Sequence, residues 1–126
     1  MKLSTLLLCC APAFTVADSI FLTTIQARPG QAENADTFFA KTIAYFHSLK
    51  PPGQTGLFAI RTGNSFVFLE EYIDDQAGID WQYNQTHVDA LKSLGTLVDP
   101  STAVVKSNAA PWAIQKFIAF LQPTSN

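Results

Sequence analysis

Apolar and polar positions alternate along this chain with changing spacing, and each change predicts an element. Ser19 to Ala27 (SIFLTTIQA) is rich in β-branched and aromatic residues and reads as a strand, stopped by Arg28-Pro29-Gly30. From about Ala32 to Leu49 the stripe Ala35, Phe38, Phe39, Thr42, Ile43, Phe46 and Leu49 recurs at three- and four-residue intervals, which is one face of a helix. Glu33 and Asp36 fall in its first turns, where the helix dipole favours negative charge. Lys50 closes it, and Pro51-Pro52-Gly53 cannot continue it.

Gly56 to Arg61 and Phe66 to Tyr72 read as strands. The turn Thr62-Gly63-Asn64-Ser65 joins them into an antiparallel hairpin. Asp74-Asp75 offers an N-cap for a second helix, bent near Gln85 and running to about Leu94, with Gly95 as its stop. Asp99-Pro100 reads as a turn before a fourth strand, Ser101 to Ser107. The order βαββαβ is the α+β, ferredoxin-like unit. A tail, residues 109–126, carries a short helix from Pro111 to Leu121. Trp112, Ile114, Phe117, Ile118, Phe120 and Leu121 surround that helix almost completely, so it should pack on the body, on a second subunit or on a ligand.

Composition narrows the functional classes. Of the 126 residues 48% are hydrophobic, enough for one packed domain. The net charge is −2 and the eight Lys and Arg are scattered singly, which argues against nucleic-acid binding. No apolar run reaches ~18 residues, so no transmembrane segment is expected. The opening MKLSTLLLCCAPAFTVADS has the parts of a secretory signal: Lys2, an apolar stretch from Leu3 to Cys10, then small residues. Residues 1–17 are therefore expected to be removed, with cleavage after Ala17 or, alternatively, Ala13. The chain would be secreted, or cytoplasmic if the start is misassigned. Both cysteines, Cys9 and Cys10, would leave with the signal. No metal site is expected, because His47 and His87 lack partners at ligand spacing. Asn84-Gln85-Thr86 is a glycosylation sequon that matters only in a eukaryotic secretory pathway.

Several short motifs resemble those of the antibiotic biosynthesis monooxygenase (ABM) superfamily. Ala27-Arg28-Pro29-Gly30 is similar to its A-x-P-G signature after strand one. Phe66 to Tyr72 followed by Asp75 and a helix resembles its third strand. Thr86-His87-Val88 with Ala90-Leu91 is similar to its S-P-H-F-x-x-L segment. The resemblance covers about Ile20 to Asn108, within a domain spanning residues 19–108. It implies a dimeric α/β barrel in which two sheets pack face to face. The strand sequences agree: Ile20 and Leu22 oppose Phe21 and Ile25, and Phe66 and Phe68 oppose Val67 and Leu69, so both sheet faces are apolar. The chain's own helices can cover one face only, and a homodimer covers the other.

Members of that family differ in activity. Some oxidise polycyclic phenols without flavin or metal, and others degrade haem. The resemblance implies an oxygenase that uses O₂ and no cofactor on an aromatic, phenolic or polyketide-type metabolite. Such a reaction needs a proton acceptor, donors for an oxygenated anion and flat aromatic walls. His87, Trp81 and Tyr72 are the candidate catalytic residues; Thr23, Phe38, Phe39 and Tyr83 are the candidate substrate-binding ones. His87 would accept a proton or donate a hydrogen bond. Its structural alternative is packing at the helix bend. Trp81 and Tyr83 lie two apart, so only one can line a pocket fully. His47, near a helix end, reads as a solvent-facing residue. Alternation puts Glu70 and Glu71 on opposite faces, and Asp74-Asp75 reads as a cap, so the four carboxylates do not read as a catalytic cluster.

The chain departs from two branches of the family. Quinone-forming members carry an Asn four residues before a Trp, where this chain has Ala77 before Trp81. Haem-degrading members carry an Asn, a Trp and a His where it has Thr23, Gln82 and Lys92. Haem oxygenation is thereby poorly supported. A non-catalytic dimeric binding protein for a small aromatic or apolar ligand is the alternative reading.

Overall fold

The computed structural model describes residues 18–122. The expected signal, residues 1–17, lies outside them. Strand β1 (Ser19–Ala27) leads through the Pro29-Gly30 turn into helix α1 (Ala32–Leu49). Then follow β2 (Gln54–Thr62), β3 (Ser65–Tyr72), α2 (Asp75–Gln82), α3 (Gln85–Ala90), a 3-10 turn (Leu94–Thr96), β4 (Val98–Ser107) and α4 (Pro111–Leu121). The four strands form one antiparallel sheet in the order β2-β3-β1-β4, with helices against one face, which is the ferredoxin-like α+β fold.

The register sets the two faces. Phe21 lies opposite Glu70, Thr23 opposite Phe68 and Ile25 opposite Phe66, and these point toward the helices. Leu22 opposite Leu69 and Thr24 opposite Val67 point the other way. On β2, Phe58 pairs with Leu69 and Ile60 with Val67, and both are about half exposed, as is Val104 on β4. Among the described residues, the outer face is thus apolar and uncovered.

The core has two halves. Phe21, Phe46, Tyr72, Ile79, Trp81, Ala113 and Phe117 form one, and Ile25, Ala35, Phe39, Phe66 and Val98 the other. Phe117 of α4 stacks on Phe21 with centroids 4.3 Å apart, so α4 is part of the core. Truncating such a ring typically costs about 3–5 kcal/mol. Helix α2 sits close on the sheet: a Cβ on Gly78 would meet the Tyr72 ring at 3.0 Å and the Phe21 ring at 3.1 Å.

Several expectations shift. The α1 stripe holds as far as Phe46, but Leu49 is exposed, because the helix ends there beyond the sheet. The second helix is broken rather than bent. Asn84 is extended, and its Oδ1 accepts the Thr86 N–H at 2.9 Å, so it caps a new helix. That helix ends at Ala90, and Gly95 lies inside the 3-10 turn instead of stopping a longer one. Asp99-Pro100 is within β4, which begins at Val98. The Asx-type bonds from Ser101 N–H and Oγ to Asp99 Oδ1 survive as a local irregularity in the pairing with β1. The hairpin turn tightens to Gly63-Asn64, with Gly63 at φ 61°, where a side chain would be strained.

Candidate functional site

The seam between the two core halves leaves a cavity of about 70 Å³. Its floor is the helix-facing side of the sheet: Thr23 and Ile25 from β1, Phe68 and Glu70 from β3. Phe39 and Phe46 of α1 form one wall, Trp81 and Gln82 of α2 another. His87 and Leu91 close the side, and Phe120 and Leu121 of α4 close the end. The lining is mostly aromatic and aliphatic, so its few polar groups stand out.

Glu70 is the foremost of these. Period-two alternation from Phe66 and Phe68 carries it to the helix-facing side, between Phe21 of β1 and Leu57 of β2. There the residue is half-buried and its carboxyl is largely withdrawn from water. Burial pushes its pKa up to about 7, against hydrogen bonds from Tyr72 and Gln82 that favour the charged form. The Tyr72 hydroxyl donates to Glu70 Oε1 at 2.5 Å, and Gln82 Nε2 donates to the same oxygen at 2.8 Å. Gln54 Nε2 in turn donates to the Tyr72 hydroxyl at 3.2 Å. Burial, then the Glu70 charge, raises the Tyr72 pKa, so Tyr72 stays protonated and acts as a donor.

His87 is buried in an aromatic cage. Its ring stacks on Phe46 at 5.0 Å and meets Trp81 and Phe120 at 5.2 Å. Nδ1 lies 3.1 Å from the Gln82 carbonyl oxygen. A carbonyl only accepts, so Nδ1 carries the proton and Nε2 keeps its lone pair. Burial pushes the His87 pKa down to about 4, so the ring is neutral near pH 7. Thr23 is also buried, and its Oγ1 has no hydrogen-bond partner among the described residues. A buried, unpaired hydroxyl typically costs about 1–3 kcal/mol, so it marks a place where a ligand atom would be welcome.

Of the expected site residues, the structure brings Thr23, Phe39, Trp81 and His87 together around the cavity. Tyr72 stands behind Glu70 rather than in the lining. Phe38 packs edge-on against Phe39 at 5.6 Å and lies outside the lining. Tyr83 is half exposed, its hydroxyl donating to the Lys116 carbonyl at 2.7 Å. Trp81 is buried, so the two aromatic residues do diverge as their spacing requires. His47 is exposed as expected, and its Nε2 lies 2.8 Å from the Leu57 carbonyl oxygen. Asp74 caps α2 through the Ala77 N–H. Asp75 accepts from Ser19 Oγ and Ala110 N–H, tying β1 and α4 to α2. Among the described residues no cluster of three or more His, Cys, Asp or Glu is placed to hold a metal ion. No helix among them is long and apolar enough to cross a membrane.

Sequence reasoning missed Glu70 and Gln82 as site residues. The signal for Glu70 was present, since a carboxylate sharing a face with Phe66, Phe68 and Tyr72 must be buried. Gln82 carried no signal until the break at Asn84 fixed the end of α2.

No protein-family model matches the chain, and no curated protein does. Solved structures do resemble it. SnoaB from Streptomyces nogalater, a cofactor-independent oxygenase, is 21% identical with a TM-score of 0.60 over 75% of this chain and 94% of that one. A Caulobacter crescentus protein, provisionally assigned as an antibiotic biosynthesis monooxygenase, is 17% identical with a TM-score of 0.64 over 74% and 89%. A Nitrosomonas europaea protein of unknown function is 18% identical with a TM-score of 0.62 over 76% and 91%. At these identities the likeness establishes the fold alone, the ferredoxin-like fold that this chain shares with these solved structures.

Proposed function

We propose that this chain is an ABM-type oxygenase that oxidises an electron-rich phenol with O₂ and no prosthetic group. The observation that carries the reading is the buried Glu70 carboxylate, with a pKa near 7, in the floor of an aromatic cavity. SnoaB, a fold neighbour, is a cofactor-independent oxygenase and supports the same reading.

The first step is proton transfer. The phenol hydroxyl gives its proton to Glu70, whose pKa is matched to neutral pH. Tyr72 and Gln82 hold Oε1 in place and are positioning residues. His87 is too weak a base to keep a proton at that pH, so its neutral ring serves as part of the cavity wall beside the phenol. Thr23 Oγ1 completes the polar contacts. The phenolate then passes one electron to O₂, and the radical pair combines by forming a C–O bond at a ring carbon bearing hydrogen. The Glu70 proton goes to the peroxide. Loss of water, with the ring hydrogen leaving as a proton, yields a quinone, so one phenol and one O₂ give one quinone and one water. Phe39, Phe46 and Trp81 keep bulk water away from the charged intermediates.

An oxygen electrode tests this with one-, two- and three-ring phenols. Uptake that needs protein and is lost in Glu70→Gln supports it. Saturable binding of the phenols with no uptake gives the non-catalytic binding protein instead.

The outer sheet face carries the second part of the proposal, a homodimer with the two sheets face to face. Secretion after removal of residues 1–17 completes it.

A further inference from the structure

The reading of the cavity as a phenol site leaves open what size of phenol it takes. At roughly 10–15 Å³ for each water, a cavity of about 70 Å³ has room for about five. Five waters take up about 150 Å³ as liquid, the scale of cavity that lodges one benzene ring. One aromatic ring with its hydroxyl fits, a second presses against the end that α4 closes, and a third has no room.

The wall at that end is Phe120 with Leu121. The other aromatic walls, Phe39, Phe46 and Trp81, are core residues and cannot withdraw without opening the hydrophobic clusters. Phe120 is only partly buried, and its ring leans on His87 at 5.2 Å and Tyr83 at 5.5 Å. The helix that carries it is fixed at several points. Ala110 N–H donates to Asp75 Oδ2 at 3.0 Å at its start, and Phe117 stacks on Phe21 in its middle. Tyr83 donates to the Lys116 carbonyl, and Gln122 Nε2 donates to the Pro100 carbonyl at 2.8 Å just past its end. A helix tied down this way does not swing aside for a large ligand.

We infer that Phe120 sets the size limit of the site, admitting one- and two-ring phenols and excluding three fused rings. The inference rests on the proposed phenol site and deepens it. The probes are 2-naphthol and 2-hydroxyanthracene, titrated against the full mature chain and followed by their own fluorescence. Apolar area alone favours the larger compound, so a preference for the smaller one reports a steric wall. The wild type is expected to bind 2-naphthol at least tenfold more tightly. Phe120→Ala should bring the two affinities level or reverse them. Phe120→Leu should give an intermediate ratio, and covers the case in which alanine loosens the helix. Melting midpoints on the same preparations verify folding. Equal binding of both compounds by the wild type overturns the size limit, and so does an unchanged ratio in both folded variants. Failure of both compounds to bind any form of the protein instead overturns the phenol site itself, and the inference with it.

Discussion

Tyr72 donates its hydroxyl hydrogen to Glu70 Oε1 at 2.5 Å, two residues back on the same strand and on the same face of the sheet. That bond steers one carboxylate oxygen while burial keeps the acid half-protonated near pH 7. A surface Glu at the same place would be ionised and solvated. Here the strand pattern withdraws the carboxyl from water and raises its pKa, while the tyrosine and the Gln82 amide hold one of its oxygens in place.

Glu70→Gln keeps an oxygen able to accept from Tyr72 and Gln82, so the fold should survive. Turnover of a phenol should fall by roughly 10²–10⁴-fold, the usual worth of a general base. In the wild type, kcat/KM should rise with pH through about 7 as Glu70 loses its proton. The rise should vanish in the variant. Steady-state oxygen uptake across pH 5.5–8.5, or roughly that range, reads both effects.

Stability should carry a matching signature. The unfolded chain releases the Glu70 proton near 4.5, while the folded one holds it to about 7. Stability therefore falls as pH rises through that window. His87 has the opposite sign: the unfolded chain takes up a proton below 6.5 and the folded one only near 4, so stability falls as pH drops. Each effect is about 3 kcal/mol, at ~1.4 kcal/mol for each pH unit of separation. They oppose each other across the shared window. Relative to wild type, Glu70→Gln should gain stability as pH rises through the Glu70 window. His87→Phe should instead gain relative to wild type as pH falls through the His87 window. Urea unfolding at several pH values, read as differences from wild type, separates the two groups.

Thr23→Val removes the unpaired hydroxyl and leaves nearly the same shape. If that hydroxyl serves a ligand, its removal should raise the stability of the free protein by about 1 kcal/mol and weaken phenol binding several-fold. A purely structural threonine would not move the two quantities in opposite directions. Thermal melts with and without 2-naphthol check this.

The fold was legible because local rules agreed with one another. The 18-residue helix α1, the Gly63 hairpin and the Asp74 cap each had a spacing or a residue type that left little choice. The misreadings cluster where a polar side chain replaces a backbone rule. Asn84 caps where the apolar pattern continues, and Asp99 imitates a turn inside a strand. The site was only half legible. Thr23, Trp81 and His87 could be placed near a pocket from the family-like motifs. The protonation chemistry could not, because it depends on burial: the same burial weakens His87 as a base and raises Glu70 into range. Nor does a sequence reveal that the Phe120 ring leans over His87, which follows from how α4 docks.

Processing has a simple readout. N-terminal sequencing of secreted protein should start at Asp18, or at Phe14 for the earlier cleavage. Protein that keeps Met1 would defeat the secretion proposal. Asn84 is exposed, and its Oδ1 is engaged in capping α3. Attachment of a glycan in a eukaryotic host would shift the mass, and Asn84→Asp would keep the cap while abolishing that shift.

Assembly is tested on the opposite side of the sheet from the cavity. Phe58, Ile60 and Val104 are 50%, 56% and 54% exposed, and they surround the outward-facing Leu22, Val67 and Leu69. An apolar patch of this kind on a sheet face favours association in water. Light scattering at micromolar concentration should give twice the monomer mass. Ile60→Lys places a charge in that face, where burial without a partner costs several kcal/mol, and should yield a monomer. Ile60 pairs with Val67 and points away from the helices, so the cavity floor is unaffected. Phenol binding should therefore persist in the monomer. Its loss there would mean that the second subunit supplies part of the site, and a wild-type monomer would refute the face-to-face dimer outright.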